Sequence, residues 1–432
     1  MTAATDISSP PSHPWAWIPT LYFSQGIPYV VVMTLSVIMY KNLGISNTDI
    51  ALYTSWLYLP WVIKPLWSPL VELFGTKRLW IVALQFVVGV ALAMVALTLP
   101  GPDFFRMSLA VFWLMAFASA SHDIAADGFY MLALPQKHQA AFVGVRSTFY
   151  RLANIGGQGG LVYLAGVLNE RTGSMRSAWS IVFFVLAAMF VAMALYHRFM
   201  LPHPASDVTG QGRAGSAALL ADFFHVFAEF FRKPGIVVTL AFLLLYRFPE
   251  AQLLKLATPF LLDSPEAGGL GLSNKAVGIA YGTVGLTALT LGGLLGGWVI
   301  SRVGLKRALW PLVLLMHVPN AAFLLLALAR PDSLWIISSA LAVEQFGYGL
   351  GFTAYLMYMI LVADGAHKTA HYAICTGFMA LGMMLPGMWS GWLQAQLGYL
   401  WFFIWVLAAT LPSFAMAALI KIPADFGKKE AA

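Results

Sequence analysis

The sequence predicts an all-α membrane protein with about twelve spanning helices, arranged as two six-helix halves. Its 432 residues are 60% hydrophobic and only 10% charged, whereas soluble proteins carry roughly 25% charged residues. The apolar runs match the roughly 20 residues that one helical crossing requires. A short loop pattern recurs half a chain later, which indicates an internal repeat.

Twelve apolar runs define the expected spans. They lie at 15–40, 48–70, 79–99, 104–134, 140–168, 178–201, 235–262, 275–300, 308–329, 333–362, 369–396 and 399–420. We therefore expect an N-terminal tail at 1–14, bundles at 15–201 and 235–421, a linker at 202–234 and a C-terminal tail at 422–432. Within the linker, 219–232 alternates Phe with polar residues and predicts an amphipathic surface helix or an extension of the seventh span.

The loops differ in positive charge, which predicts the orientation. One side carries Lys77, Arg78, Lys137, Arg198, Arg213, Arg232, Lys233, Arg302, Lys306, Arg307, Lys368, Lys421, Lys428 and Lys429. The other carries Lys41, Arg106, Arg171, Arg176, Lys275 and Arg330. The richer side includes both termini and is expected to be cytoplasmic. The net charge of +7 therefore reflects topology rather than nucleic-acid binding, and one cysteine excludes an internal disulfide framework.

The repeated pattern occupies the loops after the second and eighth spans. It consists of Glu72, Gly75, Lys77 and Arg78 in the first copy and Arg302, Gly304, Lys306 and Arg307 in the second. Glycine permits a tight bend, and the cations keep the loop on the inner face. Ser301 stands where an acidic residue would repeat Glu72.

Ionisable residues inside the fourth span mark a candidate site. Asp123 and Asp127 are one helical turn apart and His122 precedes them. Such groups usually face a water-filled path or a partner, although a purely structural ion pair is the alternative. Arg151 in the fifth span is the expected partner of one aspartate. The other aspartate, for which we favour Asp127, is expected to carry a proton, and His122 is expected to face the solute.

Other polar residues fall at similar depth. Matching proline interruptions in the first and seventh spans indicate a midplane site in a repeat transporter. Arg247 and Glu250 flank one proline and are three apart, so they are also able to pair with each other. Candidate solute-binding residues are Gln25, Tyr29, His122, Tyr150, Arg151, Asn154, Gln158, Arg247, Glu250, Gln345 and Tyr348. Candidate proton-coupling residues are Asp123, Asp127 and Glu344, the last of which is alternatively a structural hydrogen-bonding group.

The repeated loop resembles the motif G-x-x-x-D-R-x-G-x-R-R of the major facilitator superfamily. The fourth-span stretch 121–128 is similar to the [ST]-Q-D-I-A-x-D-[AG] motif of AmpG-type muropeptide permeases and acetyl-coenzyme A transporters, with His122 in place of glutamine. The stretch 64–69 and the pair Tyr150 and Arg151 are also similar to that family. Met383 stands where muropeptide permeases tend to have arginine.

This resemblance implies a twelve-transmembrane-helix major facilitator fold and a proton-coupled importer of muropeptides or related oligosaccharides in the bacterial inner membrane. Siderophore import and a non-transporting sensor are the alternatives. His122 and Asp127 fit the H-x4-D pattern of glycerolipid acyltransferases, but the catalytic domain is missing, and no P-loop is present. We therefore expect no enzyme activity, no cofactor, no metal and a monomer.

Overall fold

Twelve helical crossings make up the computed structural model, which describes residues 13–134, 136–205, 207, 216–365 and 367–428. Within helices, the side chains of 69, 70, 72, 73, 136–138, 140, 141, 143 and 216–223 lie outside that description. Nine described segments are long and apolar enough to cross a membrane. One of them, Lys368–Leu419, makes two crossings because the helix is interrupted at Gly398, which has φ 72°. The segmented second and fifth spans complete the twelve, which confirms the predicted fold class.

The bounds of the spans follow the expected order. They are, from the first, Pro14–Asn42; Asn47–Trp56 with Leu59–Leu73; Lys77–Thr98; Phe104–Ala133; Gln136–Ile155 with Gly156–Leu161 and Val162–Thr172; Met175–Met200; Ile236–Leu245 with Phe248–Leu262; Asn274–Val303; Leu305–Ala329; Leu334–Ala363; and the two arms of Lys368–Leu419. The end of the bundle that carries both tails is called the terminal face below, and the other end is called the opposite face.

The seventh span is broken at Tyr246 and Arg247, as its proline predicts. Pro249 has no N–H to donate to the carbonyl of Leu245, and the hydroxyl of Ser413 in the twelfth span donates to that carbonyl at 3.0 Å. Buried backbone groups at membrane depth require such partners. The break is therefore built into the packing of the C-terminal half.

The first span behaves differently from the prediction of a matching break. Its helix runs through Pro28 and continues as a π-helical turn at Val31–Leu35. A π-helical turn absorbs the bend that a proline imposes without ending the helix. The two halves are therefore not equivalent at this depth.

The repeated loops form the tight turns that their glycines predict. Gly75 has φ 74° and Gly304 has φ 83°, both in the region that favours glycine. The carboxylate of Asp207 accepts the backbone N–H groups of Lys77 and Arg78 at 2.8 and 3.0 Å. In the other half, the backbone N–H of Leu305 donates to the carbonyl of Phe426 at 2.8 Å. In both halves, the chain that follows the sixth or twelfth span caps the helix after the repeated loop. The side chain of Glu72 lies outside the described residues.

The linker contains a separate helix, Ser216–Phe231, which we call the linker helix. A turn with Gly235 at φ 73° divides it from the seventh span, so the predicted alternative of a continuous extension is wrong. Phe230 is fully buried, with its ring 5.5 Å from that of His371 in the eleventh span. The linker helix is therefore docked on the C-terminal half through its apolar face.

Candidate functional site

Polar contacts join the two halves at the opposite face. Lys41, at the end of the first span, forms an ion pair with Asp263, just after the seventh, at 2.5 Å. The side-chain amide of Asn47 donates to the side chains of Gln394 and Tyr399 at 2.9 Å each, and the hydroxyl of Tyr399 donates to Asp263 at 2.6 Å. We call these five residues the opposite-face cluster, and they hold the halves together at that end.

Two further contacts reinforce the same closure. Asn42 and Asn274 exchange side-chain hydrogen bonds at 3.0 and 2.7 Å. Lys275, at the start of the eighth span, forms an ion pair with Glu170, at the end of the fifth, at 2.5 Å. Each contact links a residue of the first half to one of the second. Together with the opposite-face cluster, closure of this face involves the first, second and fifth spans of one half and the seventh, eighth, eleventh and twelfth of the other.

Glycines allow the fifth and eighth spans to touch. A Cβ on Gly282 would lie 2.4 Å from the carbonyl oxygen of Gln158, and a Cβ on Gly159 would lie 2.5 Å from the hydroxyl of Thr283. No side chain fits at such distances. The predicted solute-binding residue Gln158 therefore lies at the contact between the halves, within a π-helical stretch at Gly156–Leu161.

Each aspartate of the fourth span has its own cation. Asp123 forms an ion pair with Lys64 at 3.6 Å and accepts a hydrogen bond from the indole of Trp61 at 3.2 Å. Asp127 forms an ion pair with Arg146 at 2.8 Å and accepts a hydrogen bond from the hydroxyl of Tyr22 at 3.2 Å. The expected asymmetry, in which only one aspartate is neutralised by a cation, is therefore absent.

Arg151 is not the partner of either aspartate, so that prediction is wrong. Its guanidinium donates to the backbone carbonyl of Thr290 in the eighth span at 3.2 Å. Sequence proximity favoured Arg151, but Arg146 lies one and a half helical turns earlier on the same helix and reaches Asp127. Arg151 instead links the fifth span to the other half. Asn154 uses its side chain to donate to the carbonyl of Tyr150 on its own helix at 2.8 Å.

His122 does not face a solute path, which corrects a second expectation. The residue is 3% exposed and its Nε2 lies 3.1 Å from the side-chain nitrogen of Gln85. The same glutamine contacts Nδ1 of His197 at 2.8 Å and donates to the hydroxyl of Ser24 at 2.9 Å. His122 thus belongs to a hydrogen-bonded network inside the N-terminal half.

Arg247 and Glu250 do not pair with each other, contrary to one predicted alternative. Glu250 contacts Nδ1 of His317 at 2.7 Å, and both side chains are 1% exposed. The guanidinium of Arg247 donates to the hydroxyl of Tyr348 and stacks 4.7 Å from the ring centroid of Phe352. The break at Tyr246 and Arg247 turns the two side chains towards different neighbours.

Glu344 and Gln345 form a local pair in the tenth span. The amide of Gln345 donates to Glu344 at 2.8 Å, and Glu344 is 1% exposed. The hydroxyl of Tyr281 lies 3.5 Å from the same amide. In the described part of the chain no ion pair involving Glu344 is present, which distinguishes it from Asp123 and Asp127.

Several predicted residues do meet near the centre. The side chain of Gln25 lies close to the carboxylate of Asp123, and the ring of Tyr29 packs edge-on against Trp61 at 5.3 Å. The hydroxyl of Tyr150 is close enough to Asp123 and Tyr29 to interact with them electrostatically. The first, second, fourth and fifth spans therefore contribute one connected polar group, and Arg247 with Tyr348 lies within electrostatic reach of it from the other half.

Lys255 and Tyr58 belong to this centre but were not predicted. Lys255 is 5% exposed, its ammonium donates to the hydroxyl of Thr54 at 2.8 Å, and it lies 5.3 Å from the ring centroid of Tyr58. A lysine inside an apolar span was a signal available from sequence.

One group of side chains at the terminal face has the composition of a metal site. His225 and Glu229 of the linker helix and His367 of the loop before the eleventh span bring possible ligand atoms within 4.8 Å of one another. All three are at least a third exposed, and Glu229 contacts both histidines at 3.9 and 3.4 Å. Their pairing is sufficient to account for the contact between the linker helix and this loop.

Comparison with known proteins places the chain among transporters. A family model described as Major Facilitator Superfamily matches residues 20–261. The chain is 26% identical over 408 residues to the anhydromuropeptide permease of Escherichia coli (strain K12), covering 92% of this chain and 77% of the relative. It is 24% identical over 405 residues to a Rickettsia conorii protein that carries the transporter name AmpG 4, covering 90% of this chain and 92% of that protein.

Solved structures have the same fold. The nucleoside transporter NupG superimposes with a TM-score of 0.68 at 15% identity, covering 94% of this chain and 99% of that one. A bacterial homologue of the human lysosomal transporter Spinster, in an inward-facing and occupied conformation, gives 0.67 at 16% identity, covering 95% and 96%. The match to the Major Facilitator Superfamily model, together with the similarity to a permease, confirms the exclusion of enzyme activity.

Proposed function

Because the chain belongs to the major facilitator superfamily, we propose that it imports amino-sugar-containing cell-wall fragments, or related oligosaccharides, across the bacterial inner membrane in symport with protons. It is a multi-pass membrane transport protein. The observation that carries the choice of solute is the similarity to an anhydromuropeptide permease along 92% of the chain. The bundles at 15–201 and 235–421 are the moving units of this proposal, and the transporter works as a monomer.

The geometry supports alternating access between these units. The opposite-face cluster closes one end of the interface, and the central polar group lies between the halves behind it. Transporters built from repeats bind solute near the midplane and expose it by rocking one bundle against the other. In this proposal, the opposite-face cluster must separate in each cycle to admit solute from the periplasm.

Proton coupling is assigned to the fourth span, with Asp127 as the carrier. The side chain of Asp127 is 42% exposed, whereas that of Asp123 is 16% exposed. Greater access to water favours exchange of a proton at Asp127. Protonation would remove its charge and free Arg146, which stacks 4.4 Å from the ring centroid of Tyr22. The retained candidates Asp123 and Glu344 are the alternatives for this role.

Uptake into proteoliposomes with an imposed pH gradient tests the proposal. We expect a radiolabelled N-acetylglucosaminyl-anhydromuramyl tripeptide to accumulate, and a ferric siderophore to be excluded. The variant Asp127→Asn should lose accumulation but keep solute exchange at equal pH on both sides. Accumulation of the siderophore instead would show that the solute is a siderophore. If the Asp127→Asn variant still accumulated solute in response to the pH gradient, Asp127 would not be the proton carrier.

A further inference from the structure

The described middle of the spans contains more cations than carboxylates. Its ion pairs are Lys64 with Asp123 and Arg146 with Asp127, and Glu250 contacts the imidazole of His317. The remaining cations, which have no carboxylate in the described residues, are Arg151, Arg247 and Lys255, and the remaining carboxylate is Glu344. The centre therefore carries a positive excess.

Lys255 is the most buried of these cations on the contact between the halves. It belongs to the seventh span, but its ammonium contacts Thr54 and the ring of Tyr58, which belong to the second span. Its stem lies close to Gly387, where an added Cβ would be 3.4 Å from Cγ of Lys255. A hydroxyl and an aromatic face solvate an ammonium only in part, because neither carries a compensating negative charge.

The hydrogen bonding of Arg247 is also incomplete. It is 7% exposed and its guanidinium donates to Tyr348, but its buried Nε has no hydrogen-bond partner. The five N–H donors of an arginine suit a carboxylate, which accepts two of them side by side. A tyrosine hydroxyl accepts one and leaves the charge uncompensated.

Two tyrosines connect the cations. The ring of Tyr58 faces the ammonium of Lys255, and the hydroxyl of Tyr58 lies close to that of Tyr29. Arg247 lies within electrostatic reach of both tyrosines. Residues 247 and 255 are separated by roughly 12 Å along the helix axis, from a rise of about 1.5 Å per residue. The two cations therefore bracket the tyrosine pair on the surface where the halves meet.

We propose that Arg247 and Lys255 form an anion-binding region in which Lys255 binds a carboxylate of the transported solute. This inference rests on the proposed function for the location of the solute path and adds the chemical group that is recognised. A buried cation without a counter-charge is costly. An incoming carboxylate supplies that charge, so binding is favoured for acids over their neutral analogues.

Calorimetric titration of the purified transporter tests the anion-binding region. The probes are N-acetylmuramic acid and its carboxamide, which report a sugar acid, and alanyl-glutamate and its diamide, which report peptide carboxylates. For at least one pair, we expect the acid to bind about tenfold more tightly than the amide, as the loss of one charged hydrogen bond implies. Lys255→Met should abolish that ratio, and Lys255→Arg should keep most of it. Arg106→Met removes an exposed cation and should change nothing.

Equal affinities for acid and amide in both pairs would overturn the anion-binding region, as would an unchanged ratio in Lys255→Met or the absence of binding by either acid. Failure of the proposed function looks different. In that case, the intact cell-wall fragment is not taken up into proteoliposomes, while the preference for acids and its dependence on Lys255 persist.

Discussion

Lys41 and Asp263 join the two halves of this transporter at 2.5 Å, and both side chains are largely buried at 15% and 16% exposure. The pair lies at the opposite face and is surrounded by Asn47, Gln394 and Tyr399. Because each charge belongs to a different bundle, separation of the bundles at this face must break the pair.

Removing Asp263 should favour opening of the opposite face. Asp263→Asn deletes the charge partner of Lys41 and leaves a partly buried cation. A cysteine introduced at Asn42, which contacts Asn274 across the interface, should then react at least several-fold faster with a periplasmic maleimide. The native Cys375 is buried and so adds little background. Asp332→Asn, which changes an exposed charge, is the control, and equal labelling of both variants would contradict a closing role for Asp263.

The ion pair of Lys64 with Asp123 should show thermodynamic coupling in a double-mutant cycle, whereas Arg151 and Asp123 should show none. Lys64→Ala leaves Asp123 unpaired and should lower the free energy of unfolding by about 1–2 kcal/mol, below the value for a fully buried pair because both groups are partly exposed. Adding Asp123→Asn should recover part of that loss. Chemical denaturation in detergent measures the cycle. In the parallel cycle of Arg151→Ala with Asp123→Asn, the effects should add to within about 0.5 kcal/mol, and strong coupling there would contradict the observed partners.

His122→Gln should leave solute preference unchanged, because His122 hydrogen-bonds Gln85 inside the N-terminal half. Gln85→Leu should be more harmful. It leaves His122, His197 and Ser24 without their shared partner, and each unsatisfied buried polar group costs about 1–3 kcal/mol. Uptake in the presence of competing solutes measures solute preference, and thermal unfolding measures stability, so the two effects can be separated. A changed solute profile in His122→Gln with unchanged stability would return His122 to the solute path.

The fold could be predicted from the sequence because it depends on features of short stretches of the chain. Apolar run length, loop charge and the glycines at 75 and 304 can each be read from short stretches. Partner choice in the membrane depends on helix rotation and long-range packing. Neither can be read from spacing along one helix, which explains why Arg151 was preferred to Arg146 as the partner of an aspartate.

The same limit explains the other differences. Arg247 and Glu250 have the spacing of a helical pair, but the break beside them removes the helical geometry that the spacing assumes. Lys255 is identified as a candidate binding residue only through its contact with the second span, which packs against it. Composition predicted that ionisable groups would gather in the membrane, and only the packing shows which of them lack a carboxylate partner among the described residues.

Orientation can be tested independently of transport. The excess of Lys and Arg on the terminal face predicts that this face is cytoplasmic. Tags placed after Pro204 and after Ala432 should both be protected from membrane-impermeant reagents in intact cells and become reactive after permeabilisation. A tag after Asp332, on the opposite face, is the matched positive control. Labelling of either terminal-face tag in intact cells would reverse the assignment.

The contact between the fifth and eighth spans gives the most direct steric test of closure. Gly282→Ala places a Cβ 2.4 Å from the carbonyl oxygen of Gln158, a backbone atom that cannot move aside without shifting the helix. The substituted protein should therefore spend less time closed at the opposite face.

We expect Gly282→Ala to reduce uptake by about tenfold, since about 1.4 kcal/mol of strain in the closed state lowers the closed-to-open equilibrium constant by that factor. Labelling of a cysteine at Asn42 should rise in parallel. Gly160→Ala is the matched control, because a Cβ there meets nothing within 4 Å. A loss of uptake in both variants would indicate a general fault in helix packing. Normal uptake in Gly282→Ala would mean that the close contact is not required in the transport cycle.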